Sequence, residues 1–584
     1  MSKSDPPGAA SPAAPESDAD AVLRALNPAP SRRLLVALCF PLFAALLIPY
    51  WWWATAIERL PLPGERIAVL ENTPTPQIVT RIALSADAGA FPRPGGDRAD
   101  FPLRTKLQAL AREVTAGVDG ILGQQRPAVR GERRWELVTD GADAALRVHI
   151  ALDAAANASF PLEPYVSTGV EGGRPAGTLV IPVNPAQVAD VNLKRHYKIA
   201  LINGIHNLLP AHLPGVPVRA LAYRPNITLS FVLLNEDAAD GSYVSGWDVE
   251  AALRDHFAPH LAPLAPVFNF SVESQVLYHA PLTFDPAPEA DAWRINDEQL
   301  KVFVSERWSL DSGSTNNPVL RFLVFVPSAA HRPLRLGAEN ADAFLIPQFG
   351  SVVLLNPPAS GPKAYRLGLD ALDAPFAQFV DHFYALLSIP ARPAQVHPAP
   401  SDAARTARGL ASPLSPWQLD TVLRTRLAEN AAEAKKTLAG IVRLIDKIDE
   451  MQVGAGVRDK ILGAVRKLEG LPATARASSP RAAFVLSRDA VALANEAFFD
   501  PSMMGQLYFP DQHKFAVYTP LFAPVGVSII AGLLRELRAW IKRRKARRAA
   551  QAAAGSDKSA ATSATSTATP AASDAARLRT TAAQ

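Results

Sequence analysis

Hydrophobic residues in this chain are concentrated in two long stretches, one near each end. Residues 34–53 and 515–534 are each 20 residues long and contain no Asp, Glu, Lys or Arg. At about 1.5 Å of helical rise per residue, each stretch covers the roughly 30 Å hydrocarbon core of a bilayer. The pattern therefore predicts one transmembrane helix at each end, with everything between them on one side of the membrane.

Between these stretches, apolar runs of strand length alternate with segments of helical periodicity. A first series predicts strands over 78–84, 134–138, 146–152 and 178–183, and helices over 105–122 and 189–209. A second series predicts strands over 226–234, 267–278, 320–326 and 344–355, and helices over 247–260 and 369–387. The repeated order predicts an α/β or α+β fold and suggests two similar layered halves, 54–220 and 221–390.

The chain changes character after residue 390. Residues 391–415 are expected to form a linker, and residues 416–500 a helical segment that leads towards the second span. Ser415, Pro416 and Gln418 combine an N-cap, a proline at the first helical position and a glutamine at the third, which predicts a helix start. The apolar stripe that follows at helical spacing would either form an intramolecular core or bind a partner helix.

The charges next to the two stretches predict their orientation. Arg32 and Arg33 precede the first, and eight Lys or Arg residues follow the second within 535–548. Basic flanks stay on the cytoplasmic side, so the low-complexity tails 1–33 and 535–584 should be cytosolic and residues 54–514 lumenal or extracellular. The first stretch is interpreted as an uncleaved signal-anchor, because it lies behind the 33-residue low-complexity tail and ends in a tryptophan cluster.

The net charge does not indicate nucleic-acid binding. The formal charge is +5, but residues 535–548 contribute +7, so the rest of the chain sums to −2. The basic segment could attract anionic lipid head groups on the cytosolic leaflet, or it could serve only as an orientation signal.

Cysteine and glycosylation motifs narrow the chemistry of the central part. The only cysteine is Cys39, inside the first apolar stretch, so residues 54–514 contain no disulfide, thiolate metal site or cysteine nucleophile. Three Asn-x-Ser/Thr triplets begin at Asn157, Asn226 and Asn269, and all lie in the segment predicted to be lumenal. These three asparagines are the candidate glycosylation sites.

No catalytic, cofactor-binding or metal site is predicted. The chain lacks a phosphate-binding loop, a His-Glu-x-x-His zinc motif and a Gly-x-Ser-x-Gly nucleophile turn. His256 and His260 stand four residues apart beside Asp255 and could share a helical face as metal ligands, but no further His or Cys lies near them. A polar helix end is the favoured interpretation. A Ser/His/Asp triad assembled from distant positions stays open.

Several segments resemble one family in the same order. They are 49–52 (PYWW), 233–235 (LLN), 247–250 (WDVE), 269–278 (NFSVESQVLY), 318–327 (PVLRFLVFVP), 350–356 (GSVVLLN), 497–501 (AFFDP), 507–511 (LYFPD) and 514–518 (KFAVY). Together they resemble the PIG-S family, a subunit of the glycosylphosphatidylinositol (GPI) transamidase.

The resemblance implies a non-catalytic subunit in the endoplasmic reticulum membrane, with both termini cytosolic and a large lumenal domain. In that family the complex joins GPI to the new carboxyl end of a proprotein, and the cysteine nucleophile is on PIG-K. The resemblance further implies PIG-T, PIG-U and GPAA-type partners, contact with membrane lipid, and a glycan at Asn269. Two alternatives stay open: a membrane-anchored lumenal enzyme acting on glycans or lipids, and a receptor-like binding module.

Overall fold

The structure of the protein is a computed structural model. It describes residues 30–55, 59–76, 78–92, 101–125, 135–139, 141, 144, 146–169, 173–209, 221–239, 241–310, 316–337, 341–357, 363–448, 451–477, 479–503 and 511–562. The described chain divides into two units: a body of Leu60–Lys447 and Gly454–Asp500, and a second unit that contains both long apolar stretches.

The helices and strands are numbered along the chain. The helices are α1 (Pro30–Thr55), α2 (Gly64–Asn72), α3 (Leu103–Gln125), α4 (Leu193–Leu208), α5 (Val249–Ala252), α6 (Ala258–Leu264), α7 (Asp297–Leu300), α8 (Leu369–Leu387), α9 (Ala403–Ala407), α10 (Pro416–Lys447), α11 (Ala455–Arg476), α12 (Pro480–Phe498) and α13 (Asp511–Thr562). The strands are β1 (Thr80–Ala86), β2 (Trp135–Val138), β3 (Leu146–Leu152), β4 (Tyr165–Val166), β5 (Thr178–Val183), β6 (Asn226–Asn235), β7 (Tyr243–Trp247), β8 (Asn269–Leu277), β9 (Ala287–Pro288), β10 (Trp293–Ile295), β11 (Val319–Val326), β12 (Leu334–Leu336), β13 (Ala343–Ile346), β14 (Gly350–Leu354) and β15 (Ala364–Leu367). A π-helical turn, Leu253–Phe257, joins α5 to α6.

The body contains two five-stranded sheets with the same strand order. The first sheet runs β2-β1-β3-β5-β4 and the second β8-β6-β11-β14-β13. Numbered by chain order within each sheet, both read 2-1-3-5-4. In both, the fourth strand is the antiparallel edge strand and the other strands are parallel. The mixed α/β class predicted from the sequence is confirmed.

Each sheet buries one face under two helices. The first sheet shares a core with α3 and α4, and the second with the α5–α6 helix and α8. The other face of the second sheet packs on a small sheet, β12-β10-β9, through Phe303 and Trp308. This double cover explains why β6 is an almost continuous apolar run, since central parallel strands are buried on both sides.

The predicted single strand 344–355 is wrong. It is a hairpin of β13 and β14 that turns at residues 347–349. Gly350 has φ +151°, and a Cβ there would lie 1.8 Å from the Arg321 carbonyl oxygen, so the backbone approaches β11 too closely for a side chain. The turn contains Pro347 and Gln348, and Gln348 has φ +66°; the sequence prediction joined the two apolar segments on either side of these residues into one strand.

Helix α10 is part of both layered cores. Its predicted start is confirmed: the Ser415 amide donates to Gln418 Oε1 (3.0 Å) and the Gln418 amide donates to Ser415 Oγ (3.3 Å). Trp417 then packs into the core of the first sheet, whereas Val422 and Leu423 pack into the core of the second.

Residues 391–415 also pack within the body. Val396 belongs to the first core and Leu414 to the second, and Asp402 accepts a 3.0 Å hydrogen bond from Thr168 Oγ1. The body is therefore one compact unit, and the boundaries at 220, 390 and 415, with the idea of two similar halves, stay predictions.

The other unit contains the two apolar helices. Trp51 of α1 packs edge-on against Tyr518 and near Phe522 of α13, with ring centroids 5.1 and 6.2 Å apart. Of the described residues, one helical segment, Ala516–Ala552 in α13, is long and apolar enough to cross a membrane. In α1 the apolar part is the shorter segment Leu38–Trp51, so the first span stays a prediction.

Candidate functional site

Two of the three candidate glycosylation sites lie side by side. Asn226 begins β6, Asn269 begins β8, and the two residues are partners in the parallel ladder. The Asn269 side-chain amide donates a 3.2 Å hydrogen bond to Asn226 Oδ1, and both side chains are exposed. This pairing is invisible in the sequence, where 43 positions separate the two residues.

The hydroxyl groups of the same two triplets also meet. The ladder places Thr228 opposite Ser271, and their hydroxyl oxygens are 2.8 Å apart. Thr228 is only 2% exposed. In the folded sheet the two motifs thus form one in-register pair, here called the paired triplets: residues 226–228 and 269–271.

Asn157 lies in a different setting. It is exposed in the loop that follows β3, where its Oδ1 accepts hydrogen bonds from the Ser159 amide (3.0 Å) and hydroxyl (2.8 Å). This is an Asx-turn, a local arrangement that needs no neighbouring strand. The structure therefore leaves Asn157 accessible by itself.

His256 and His260 attach the α5–α6 helix to α8. His256 Nε2 lies 2.9 Å from Asp373 Oδ1, and His260 Nδ1 lies 2.6 Å from the Tyr384 hydroxyl. Both rings are buried, and burial lowers the pKa of His256 and lowers that of His260 to about 4. Both are therefore neutral at neutral pH and serve packing.

An ion-pair network continues from His256 to residues 391–415. Arg408 donates to both Asp373 oxygens (2.9 and 3.2 Å) and to Asp255 Oδ2 (3.0 Å). Burial alone would raise the pKa of Asp373, but the hydrogen bonds from Arg408 and His256 outweigh it and the pKa lies below the ordinary value. The Asp255 carboxylate is thus bound by the Arg408 guanidinium. In the described part of the chain no three His, Cys, Asp or Glu side chains are grouped to hold a metal.

A serine, a histidine and an aspartate do come together at the end of the first sheet. His149 Nδ1 lies 2.8 Å from Ser85 Oγ, and its Nε2 lies 3.0 Å from Asp87 Oδ1. Burial lowers the pKa of His149, so the ring is neutral; Nε2–H then donates to the carboxylate and Nδ1 accepts from the serine. The order serine, histidine, aspartate is that of a hydrolytic triad, but the ring nitrogens are exchanged, because in a triad Nε2 faces the serine and Nδ1 faces the carboxylate.

The position of these residues indicates a structural role instead. Ser85 is exposed, but it lies within β1 and not at the sharp strand-to-helix turn that presents a nucleophile in hydrolases. Asp87 closes the end of the sheet: its amide donates to the Ile150 carbonyl (3.0 Å) and its Oδ2 accepts from the Leu152 amide (2.8 Å).

An acid and a histidine also meet at the end of the second sheet, where no hydrogen bond from a serine hydroxyl to the histidine ring accompanies them in the described structure. Glu236 follows β6 as Asp87 follows β1; its amide donates to the Val326 carbonyl (2.9 Å), and its Oε2 accepts from the Ser328 amide (2.8 Å). Its Oε1 lies 2.6 Å from His331 Nδ1. The two sites share an acid that follows a strand, accepts a hydrogen bond from the neighbouring backbone and binds a histidine. We call this role sheet closure, and it explains both sites without catalysis.

Sequence reasoning missed these contacts because they depend on strand register. A carboxylate directly after an apolar strand was the available signal in both places. Without knowing that β3 and β11 are the neighbouring strands, the histidine partners could not be assigned.

Comparison with known proteins gives consistent matches. Residues 38–543 match the family model "PIG-S: Phosphatidylinositol-glycan biosynthesis class S protein". The chain is 28% identical to the GPI-anchor transamidase component PIGS of Homo sapiens and of Rattus norvegicus, over 85% of this chain and 94% of each relative. It is 26% identical to the GPI transamidase component GPI17 of Saccharomyces cerevisiae, over 55% of this chain and 59% of the relative.

Proposed function

Because the chain belongs to the PIG-S family, we propose that it is a non-catalytic subunit of the GPI transamidase. It supports the attachment of GPI anchors to proprotein carboxyl ends. The observation that carries the proposal is the match itself, which spans residues 38–543 and so includes the whole body and most of the apolar part of each flanking helix.

The residue content supports an accessory role. Attachment of GPI to a newly cleaved carboxyl end is acyl transfer, and a cysteine nucleophile with a histidine base is one arrangement that performs it. The chain has one cysteine, Cys39, on the apolar helix α1. In this proposal the nucleophile belongs to PIG-K, and PIG-T, PIG-U and a GPAA-type subunit are the other partners.

The proposed location is the endoplasmic reticulum membrane. The apolar helices would be two spans, the termini cytosolic and the body lumenal. Exposed apolar side chains along α1 and α13 suit a lipid or helix-packed environment, and the eight Lys and Arg residues that follow residue 534 suit the cytosolic side. Protease treatment of sealed microsomes tests this: the body should be protected and both tails digested.

For the competing proposal, a lumenal enzyme acting on glycans or lipids, the candidate catalytic residues that the described structure brings together are Ser85, His149 and Asp87. The recurrence of the acid and histidine at Glu236 and His331 favours a structural role. No observation favours the receptor-like module.

Depletion and rescue tests the proposed function. Cells without this chain should lose GPI-anchored proteins from their surface and accumulate uncleaved proproteins, and the wild-type chain should restore both. Ser85→Ala and His149→Gln should restore them equally at equal chain abundance. Normal GPI attachment in depleted cells would refute the proposal.

A further inference from the structure

The paired triplets have a geometry that restricts how they can be modified. Asn226 and Asn269 begin neighbouring parallel strands in register, and their amide groups are in direct contact at 3.2 Å. Neighbouring strands are about 4.8 Å apart, which is close to the width of one sugar ring. Two ring systems attached at adjacent amides would occupy the same space, whereas one ring leaves the neighbouring Asn side chain in place.

The folded sheet also closes the Asn226 triplet to the modifying enzyme. Transfer of a glycan to Asn requires the hydroxyl group two residues later. Here the Thr228 and Ser271 hydroxyls bond to each other at 2.8 Å, and Thr228 is 2% exposed. Modification of Asn226 must therefore precede the pairing of β6 with β8, whereas the hydroxyl of the Asn269 triplet, on the exposed Ser271, stays accessible in the folded sheet.

A chain modified at both asparagines would then have difficulty folding. To pair β6 with β8 at their first residues, both sugars must leave the same edge of the sheet at the same height. β6 is central to the second sheet, since it also pairs with β11 over eight positions from Thr228 to Asn235. Failure at this edge would disturb the largest core of the body.

We propose that Asn226 and Asn269 form one acceptor unit that carries a single N-linked glycan in the folded protein. Doubly modified chains do not enter the folded, assembled pool. Asn157, in its own exposed turn, is modified independently of this pair. The inference rests on the proposed lumenal placement of the body, because N-linked glycosylation occurs on that side.

The test counts glycans in the assembled protein without changing it. The full chain is purified with its complex, and N-glycans are removed by peptide N-glycosidase in ¹⁸O-water, so that each occupied Asn becomes a labelled Asp. Mass spectrometry of the peptides then gives the occupied fraction of Asn226 and of Asn269. The expected sum of the two fractions is one.

Gel analysis gives the same count per molecule. In an Asn157→Gln background, endoglycosidase should remove one glycan from the assembled chain and none from the Asn226→Gln, Asn269→Gln double variant. Newly made, unassembled chains should include a doubly modified species that is missing from the assembled pool.

Two results would overturn the proposal: a summed occupancy near two, with two gel steps in the assembled chain, or a summed occupancy near zero. Protease protection of sealed microsomes separates the causes of a zero. If the body is protected, the location stands and the acceptor unit is wrong; if the body is digested, the proposed location is wrong.

Discussion

Arg426 offers the sharpest test of how the helical segment joins the rest of the body. The helical pattern gave no sign that this arginine is buried, yet its side chain is 1% exposed. Its Nη2 donates to the Leu387 carbonyl (2.6 Å) at the end of α8, and its Nη1 donates to Glu429 Oε2 (2.7 Å). The guanidinium also lies 5.8 Å from the centre of the Phe268 ring. The perturbation is Arg426→Met.

The expected loss in the free energy of unfolding follows from the groups that Arg426 would no longer contact. The Glu429 side chain, which is 9% exposed, would lose its ion pair with Arg426, and the Leu387 carbonyl would lose a charged donor. Removing one partner of a buried pair costs about 3–5 kcal/mol. Unfolding entropy of about 2.1 cal/mol/K per residue gives about 0.9 kcal/mol/K for a body of about 435 residues. The midpoint should therefore fall by about 3–6 °C.

The same helix provides a matched control. Arg443 pairs with Glu71 at 3.1 Å, but both side chains are exposed, at 59% and 41%. Exposed pairs contribute about 0–1 kcal/mol, so Arg443→Met should lower the midpoint by about 1 °C or less.

The assay is thermal unfolding of the purified full chain in mild detergent, followed by tryptophan fluorescence. Arg426→Met combined with Glu429→Met should cost less than the sum of the single changes, because the buried carboxylate that loses its arginine is removed as well. Equal midpoints for Arg426→Met and Arg443→Met, or strictly additive single changes, would refute the reasoning.

Three further predictions concern stability and the proposed absence of catalysis. Because burial lowers the pKa of His260 from 6.5 to about 4, the unfolded chain binds the proton first as pH falls. About 3 kcal/mol of stability is thus lost between pH 6.5 and 4. His260→Phe should make the free energy of unfolding less dependent on pH in that range, as measured by denaturant unfolding at several pH values. The same pH dependence in wild type and variant would contradict this prediction. Trp417→Phe removes the 3.0 Å donor to the Gly177 carbonyl and should cost about 1–3 kcal/mol in urea unfolding, and Trp417→Ala about 3–5 kcal/mol. If both match wild type, the helical segment does not depend on the first sheet. Ser85→Ala should leave GPI attachment in rescued cells unchanged, and loss of attachment by a normally folded variant would contradict the sheet-closure role.

Hydrophobic patterns predicted the elements well where packing is simple. β3, β5 and α8 begin and end at the predicted residues, and the Ser415 cap is present as expected. These elements have a buried face whose period matches their geometry, so local sequence and tertiary packing agree. The predicted strand 344–355 was wrong because the prediction joined two apolar strands across the short turn at residues 347–349.

The sites were less accessible to sequence reasoning. The paired triplets, the closure of both sheets and the buried Arg426 all depend on which strands and helices become neighbours. His256 and Asp255 illustrate the limit: the sequence identified a polar helix end, but Asp373 and Arg408, which bind these residues, come from distant segments. Residue type and spacing predicted the kind of group present, and the topology selected its partner.

Stoichiometry of the purified assembly tests the central claim most directly. The tagged full chain should be purified in mild detergent and its partners quantified by mass spectrometry, with GPI transfer to a proprotein measured in the same fractions. We predict PIG-K, PIG-T, PIG-U and a GPAA-type subunit in fixed ratio to this chain, with transfer activity that disappears when the PIG-K cysteine is replaced. A monomeric chain that acts on glycans or lipids by itself would contradict the account.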